Sequence, residues 1–438
     1  MKVLFLTQYF PPETGAAQNR LSDLACRLAA AGHRVTVLTA VPSYPKGRIF
    51  DGYRGRPWMT EEQNGVRIVR TWLFVTKRRS FVFRILNYLC FSVMACLVSL
   101  LTMRQMDIVF AESPPLFVGV AGYILSKAKG AKFVLNISDL WPESAVVLGM
   151  LRNKSLIRWA TRVEEGLYRR ASLITAQTQG IVTNIEDRIL GTRIVLLTNG
   201  VAPEFLAKVD EARLVRSRTR EEMRLGLKFT VAYTGLHGLA QGLETIIEAA
   251  QIVFDREEIL FVFWGDGPEK PKLQSMALSM GLHNVVFLPA VQVARMPELL
   301  AAVDVSIVSL RKDDLFKGAL PSKLFEAIGA GVPVIGAVNG EAQSFIINSG
   351  GGIVVAPECP SHLASAIIQL SEDSAFRQQM GDQGRKYVER NYDRKHIFKI
   401  FEQLLTEISS TSNTPIKAIK SVPPKQDSGK YSMNLDLK

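Results

Sequence analysis

Lys323 and Glu326 stand three residues apart near the start of ALPSKLFEAIGAGVPVI (319–335), just behind Pro321 and Ser322. On a helix that spacing puts an ammonium and a carboxylate on one face. A helix N-terminus presents unpaired N–H groups and positive potential, a combination suited to phosphate. Lys323 could neutralise a diphosphate there, and Glu326 could accept hydrogen bonds from two vicinal hydroxyls, as acidic residues do with ribose. Plain helix punctuation accounts for Pro321, Ser322 and Gly331, and a surface ion pair would account for Lys323 with Glu326. Neither explains two glycine-rich turns elsewhere. YTGLHGLAQGLETI (233–246) carries Gly235, Gly238 and Gly242, and WGDGPE (264–269) carries Gly265 and Gly267, each after an apolar run. One such turn alone is ordinary strand-to-helix chemistry. Two of them facing the helix at Pro321 make a three-sided pocket.

The first half of the chain offers two weaker clusters. TQYFPPETGAA (7–17) ends in small residues, where Gly15 would let the backbone approach a phosphate or sugar at a helix N-terminus. It is not a GxGxxG dinucleotide fingerprint. NISDLWPES (136–144) sets Asp139, Trp141 and Glu143 just past an apolar strand. An acid beside an aromatic suits sugar binding or proton acceptance, and equally a helix cap.

The elements that must carry these residues are legible as apolar, β-branched runs alternating with helical stretches. In the first half the runs are 3–7, 35–39, 66–71, 107–111, 132–138, 172–177 and 193–198; in the second they are 229–235, 259–265, 284–289, 304–310, 332–336 and 352–356. Strands this apolar are buried on both faces of a parallel sheet. The expected architecture is α/β, two doubly wound Rossmann-like domains, with ligands beyond the carboxyl ends of the strands. The pattern restarts after NGVAPEF (199–205), which divides the chain into domains 1–198 and 199–388. A lone helix follows over 389–408, then a polar tail without apolar periodicity over 409–438, expected to be disordered.

Composition narrows the partners. The 53 Lys and Arg against 41 Asp and Glu give a net charge of +12, which favours anionic partners. No groove-reading motif or aromatic-basic repeat points to nucleic acid. Cys26, Cys90, Cys96 and Cys359 form no CxxC pair, so neither a zinc site nor a disulfide framework is expected, and a reducing cytosol fits. The opening MKVLFLTQYFPPE reads as a buried strand, being too short and too soon broken by proline for a signal peptide. Residues 85–103 run 19 positions without a charge, between Lys77, Arg78, Arg79 and Arg84 on one side and Arg104 on the other. A simple span would leave neighbouring strands of one sheet on opposite sides of the bilayer. The segment is therefore read as lying in a membrane interface, or dipping in and returning, with its basic flanks against anionic headgroups. A buried core helix and a true span are the alternatives.

In their order along the chain, MKVLFLTQYFPPETGAA, AAGHRVTVLTAVPSYPKG, LTNGV, WGDGPE and ALPSKLFEAIGAGVPVI resemble glycosyltransferase family 4, over about residues 1–408. The nearest branch is that of bacterial O-antigen and capsule enzymes described as L-fucosamine transferases. The resemblance implies the GT-B fold, with the donor nucleotide sugar held by the second domain, the acceptor by the first, and transfer with retention of configuration. It also implies that the 389–408 helix crosses back onto the first domain. Glu326 matches the second glutamate of the family's E-x7-E signature, which holds the donor ribose, and Gly15 matches the glycine loop beside the donor phosphates. Asp139 falls near the acceptor-side polar residue.

Two departures bear on the donor. Gly318 occupies the place of the first glutamate, so sugar-hydroxyl recognition must differ, as for a deoxy or N-acetylated sugar. Leu236, His237 and Gln241 occupy the loop where the family carries a clamping Arg and Lys, which throws the diphosphate onto Lys323, Lys317 and backbone N–H groups. The reading is therefore a metal-independent, cofactor-free retaining transferase moving a sugar, from UDP by family analogy, to a polyprenyl-diphosphate-linked saccharide at the membrane. Gly15, Gly235, Gly265, Ser322, Lys323 and Glu326 would hold the donor; Asp139, Trp141 and Glu143 the acceptor; Asp139 and Lys323 would serve catalysis. A nucleotide-sugar epimerase of the same architecture and a non-catalytic nucleotide-binding assembly partner are the competing readings.

Overall fold

A computed structural model describes residues 1–44, 47–76 and 81–410. The basic flank 77–80 and nearly all of the 409–438 tail lie outside the described residues. The first half builds one eight-stranded sheet from β1 (Lys2–Leu6), β2 (Arg34–Ala40), β3 (Trp58–Gln63), β4 (Val66–Thr71), β5 (Ile108–Ser113), β6 (Lys132–Ile137), β7 (Leu173–Ala176) and β8 (Ile194–Leu196). Their order is β3-β4-β2-β1-β5-β6-β7-β8, and all neighbours are parallel except the β3–β4 hairpin. The second half builds a six-stranded parallel sheet from β9 (Phe229–Thr234), β10 (Ile259–Trp264), β11 (Val285–Leu288), β12 (Val305–Ser309), β13 (Val334–Ala337) and β14 (Gly352–Val355). Its order is β11-β10-β9-β12-β13-β14. In both sheets the order reverses beside the first strand, which opens a crevice at the carboxyl ends.

The central strands β1, β5, β9 and β10 are buried nearly throughout, because helices cover both faces. The last helix, Arg394–Ser410, belongs to the first domain by packing: Phe401, Leu404, Leu405 and Ile408 are buried with Val3, Phe5 and Phe110. The two connections between the sheets run side by side, with the Val201 N–H donating to Tyr392 O and the Arg394 N–H donating to Val201 O.

The Phe81–Thr102 helix joins β4 to β5, so both its ends feed one sheet. Phe91, Ala95, Val98 and Ser99 are buried on its inner side, where it packs against the Leu116–Lys129 helix and β2. Lys129 donates to the carbonyls of Ser99 and Met103, closing the helix C-terminus. The outer side is bare: Val82, Leu86, Leu89, Val93, Leu97 and Leu100 are exposed at successive three- and four-residue steps, and Leu101 beside them. The segment is thus neither a buried core helix nor detached from its domain.

Candidate active site

β9 and β10 are neighbours, so the loops that follow them emerge together. Gly265 has φ +154°, and a Cβ there would sit 1.8 Å from Gly235 O. Only glycine lets the two loops interlock. Their backbones are stitched by the His237 N–H donating to Asp266 O at 2.9 Å and the Glu269 N–H donating to His237 O at 3.0 Å. The His237 ring is buried among Tyr233, Phe263 and Phe287, and burial together with Lys270 and Lys323 pushes its pKa down to about 4. A neutral imidazole beneath the loop does not replace the phosphate-clamping cations.

Lys323 reaches into this corner. Its Nζ lies 3.9 Å from the centre of the Tyr233 ring and 3.3 Å from where a Gly235 side chain would begin. Burial pulls its pKa down to about 7, with Glu326 opposing weakly. Glu326 sits one turn along the Ser322–Gly329 helix, where burial raises its carboxyl against the pull of Arg394 and Lys323. Ser322 opens that helix behind Pro321, and no side chain caps the first turn. Gly235, Gly265, Ser322, Lys323 and Glu326 therefore share one corner of the second domain, beside the connection that carries Arg394. Lys317 does not join them: its Nζ pairs with Asp314 Oδ1 at 2.7 Å in an exposed turn.

The first-domain residues are spread more widely. Gly15 precedes the Ala16–Ala30 helix, and a Cβ on it would strike Gln18 Oε1 at 2.4 Å. Asp139 is open to solvent yet surrounded by protein, and desolvation raises its carboxyl although Ser144 and the Leu140 N–H stabilise the charge. Trp141 packs its ring on the first-domain core, and Glu143 pairs with Arg188 at 3.2 Å. Of the two acids, Asp139 alone keeps its carboxylate clear of an ion pair among the described residues.

Two sequence-family models divide the chain along the same lines. A glycosyl transferase 4-like domain matches residues 15–200, and glycosyl transferases group 1 matches residues 219–387. The chain belongs to the glycosyltransferases that join these two domains. The glycosyl transferase WcaI of Escherichia coli (strain K12), named for colanic acid biosynthesis, is 27% identical over 92% of this chain and 98% of its own. Among solved structures, the sucrose-phosphate synthase of Thermosynechococcus elongatus superposes with a TM-score of 0.72 at 18% identity, covering 94% of this chain and 99% of that one. Anabaena HepE in complex with UDP-glucose gives 0.70 at 18% identity, covering 93% and 100%. At these identities the structures show the fold, which is GT-B.

Within this transferase the glycine at position 318 has a geometric reason. A Cβ on Gly180 would lie 2.4 Å from Gly318 Cα, so the domains touch there backbone to backbone. Glu341 completes the contact: its Oε1 accepts the Gln179 N–H at 3.0 Å and its Oε2 the Gly180 N–H at 2.9 Å, at the start of the Gln179–Arg188 helix. A side chain at 318 would begin 3.2 Å from Gly180 Cα, so a glutamate there would press on the start of that helix. Sequence reasoning passed over Tyr233, Glu341 and Gly180. Tyr233 lay inside the quoted YTGLHG; the other two gain meaning only from the approach of the two domains.

Proposed function

We propose that this glycosyltransferase transfers a sugar, deoxy or N-acetylated, from a uridine diphosphate donor to a lipid-linked saccharide, in surface polysaccharide synthesis, with retention and without a metal ion. The observation that carries this reading is Lys323, an ammonium without an ion pair among the described residues, set on the Tyr233 ring between two interlocked glycine loops. Donor diphosphate at this corner would meet Lys323 and the uncapped first turn that Ser322 opens. Its ribose hydroxyls would meet Glu326. As the bond from sugar C1 to the β-phosphate oxygen breaks, charge grows on that oxygen, and Lys323 is placed to stabilise it. The acceptor hydroxyl attacks from the same face and yields its proton to the departing diphosphate. Asp139, across the cleft, would orient that hydroxyl.

A UDP donor is supported by the UDP-glucose complex of the Anabaena neighbour, and the polysaccharide role by the name of the Escherichia coli relative. For a metal-free mechanism the support is local. Asp313 caps the Leu315 N–H and Asp314 pairs with Lys317, so the one adjacent acidic pair near the donor corner is spent on its own turn. The bare face of the Phe81–Thr102 helix is the support for attachment at the cytoplasmic surface of the inner membrane. The test is transfer of labelled sugar from UDP-sugars to lipid extract. Lys323→Met should lower kcat about 10²-fold or more, as loss of a charge-stabilising donor does, and excess chelator should leave the rate unchanged. A rate abolished by chelator, or a fully active Lys323→Met, would contradict the mechanism.

A further inference from the structure

A second polar cluster, in the first domain, lies where the loop after β1 meets the opening turns of the Phe81–Thr102 helix. Glu13 fastens that loop. Its Oε1 accepts the N–H groups of Ser43 at 2.8 Å and Tyr44 at 2.7 Å, and its Oε2 accepts that of Phe10 at 3.3 Å. Tyr44 is thereby held against Tyr9, ring centres 5.7 Å apart. Tyr88, from the second turn of the helix, meets the Tyr9 hydroxyl. Beneath them Gln8 is 1% exposed: its Nε2 donates to Asn87 Oδ1 at 2.6 Å, while its buried Oε1 has no partner among the described residues. An acceptor left empty in the interior is costly, and a ligand hydroxyl would fill it. Arg84 stands beside Tyr44 and Tyr88, exposed and in no ion pair among the described residues, its Nη1 resting 3.0 Å from Met150 Sδ. Tyr44 also feels the charge of Asp266 in the donor-domain loop, so the cluster lies on the side of the first domain that faces the second.

We propose that this cluster is the acceptor head-group site, and that its ligand is the diphosphate and first sugar of an isoprenoid-diphosphate-linked saccharide. The inference rests on the transferase reading and gives its acceptor a place. Arg84 takes the diphosphate. Tyr9, Tyr44 and Tyr88 take the sugar on their ring faces and hydroxyls, and Gln8 Oε1 accepts from a sugar hydroxyl. The bare stripe of Leu86, Leu89 and Val93 begins within one turn of Arg84. A charged head and an apolar tail joined in one molecule match that succession of cation and apolar track.

Calorimetric titration of the full chain in nonionic micelles tests this. The probes are farnesyl diphosphate, the same lipid carrying N-acetylglucosamine, farnesol and inorganic pyrophosphate, with phosphatidylglycerol vesicles in parallel. Farnesyl diphosphate should bind more tightly than farnesol or pyrophosphate, and Arg84→Gln should weaken it at least tenfold without changing UDP affinity. The sugar-bearing lipid should bind more tightly still, and Tyr44→Ala should remove that increment. If Arg84→Gln leaves farnesyl diphosphate affinity within twofold, or weakens vesicle binding equally, the site is overturned in favour of general attraction to anionic lipid. Pyrophosphate binding as tightly as the lipid would overturn it too, in favour of a free-phosphate site. The lipid titrations are read without any donor, so failure of UDP to bind the wild type would count against the transferase reading alone.

Discussion

At the scale of single residues, Lys323 sets the pH behaviour. Its folded-state pKa of about 7 lies far below that of an unfolded lysine, because burial disfavours the charged form. A bound diphosphate restores the preference for charge, so donor binding should take up a proton. The affinity for UDP-glucose, whose diphosphate does not titrate in this range, should be flat below about pH 7 and fall up to tenfold per unit above it. Calorimetry in buffers of different ionisation enthalpy reads the uptake directly, and a pH-independent affinity would refute it. Stability carries the complementary sign: the unfolded chain holds the extra proton between the two pKa values, so folding should gain from Lys323 as pH rises through that window. The Lys323 and Glu326 pair was legible in the sequence because three-residue spacing and a proline-led N-terminus are local signals. The tyrosines at 9, 44 and 88 were not, since they converge from two loops and a helix far apart in sequence.

At the scale of elements, the Phe81–Thr102 helix shows what composition can and cannot reveal. Its length and hydropathy are those of a membrane span, yet one side is spent on the domain's own core. The sequence carried this too, since inner and outer positions alternate at helical steps, but an apolar outer face masks the alternation. Burying each exposed leucine in lipid is worth about 1.5–3 kcal/mol. Leu86→Asp with Leu97→Asp should therefore release the protein from anionic vesicles in a sedimentation assay while leaving UDP binding intact; unchanged sedimentation would remove the membrane role from this face. β3 went unseen for the opposite reason. WMTEEQ is polar and mostly exposed at the sheet edge, and its one clear signal was the turn at Asn64 and Gly65, both at positive φ. The contact at Gly180 and Gly318 is also an element-level device. Gly180→Val should wedge the two domains apart and lower kcat at least tenfold, with donor affinity retained; full activity would show that the backbone contact is dispensable.

At the scale of the whole molecule, two parallel sheets were readable from alternating apolar runs, because burial on both faces leaves a pattern no other arrangement needs. How the sheets face each other was not, since that depends on Glu341 meeting a helix N-terminus 161 residues away in sequence. The Arg394–Ser410 helix ties the far side of the second domain back to the first sheet. Phe401 is fully buried against Phe5 and Phe110, and Phe401→Ala should cost about 3–5 kcal/mol. Urea unfolding of the intact chain would register it, first in the half that holds the N-terminal sheet. The function of the molecule turns on a donor corner in the second domain, and calorimetric binding of UDP, GDP and ADP to the wild type and to Glu326→Ala tests it. UDP should bind, and the substitution should weaken it about tenfold or more, as loss of a charge-assisted hydrogen bond requires. If no diphosphate binds, or Glu326→Ala binds as the wild type does, the donor corner is misassigned.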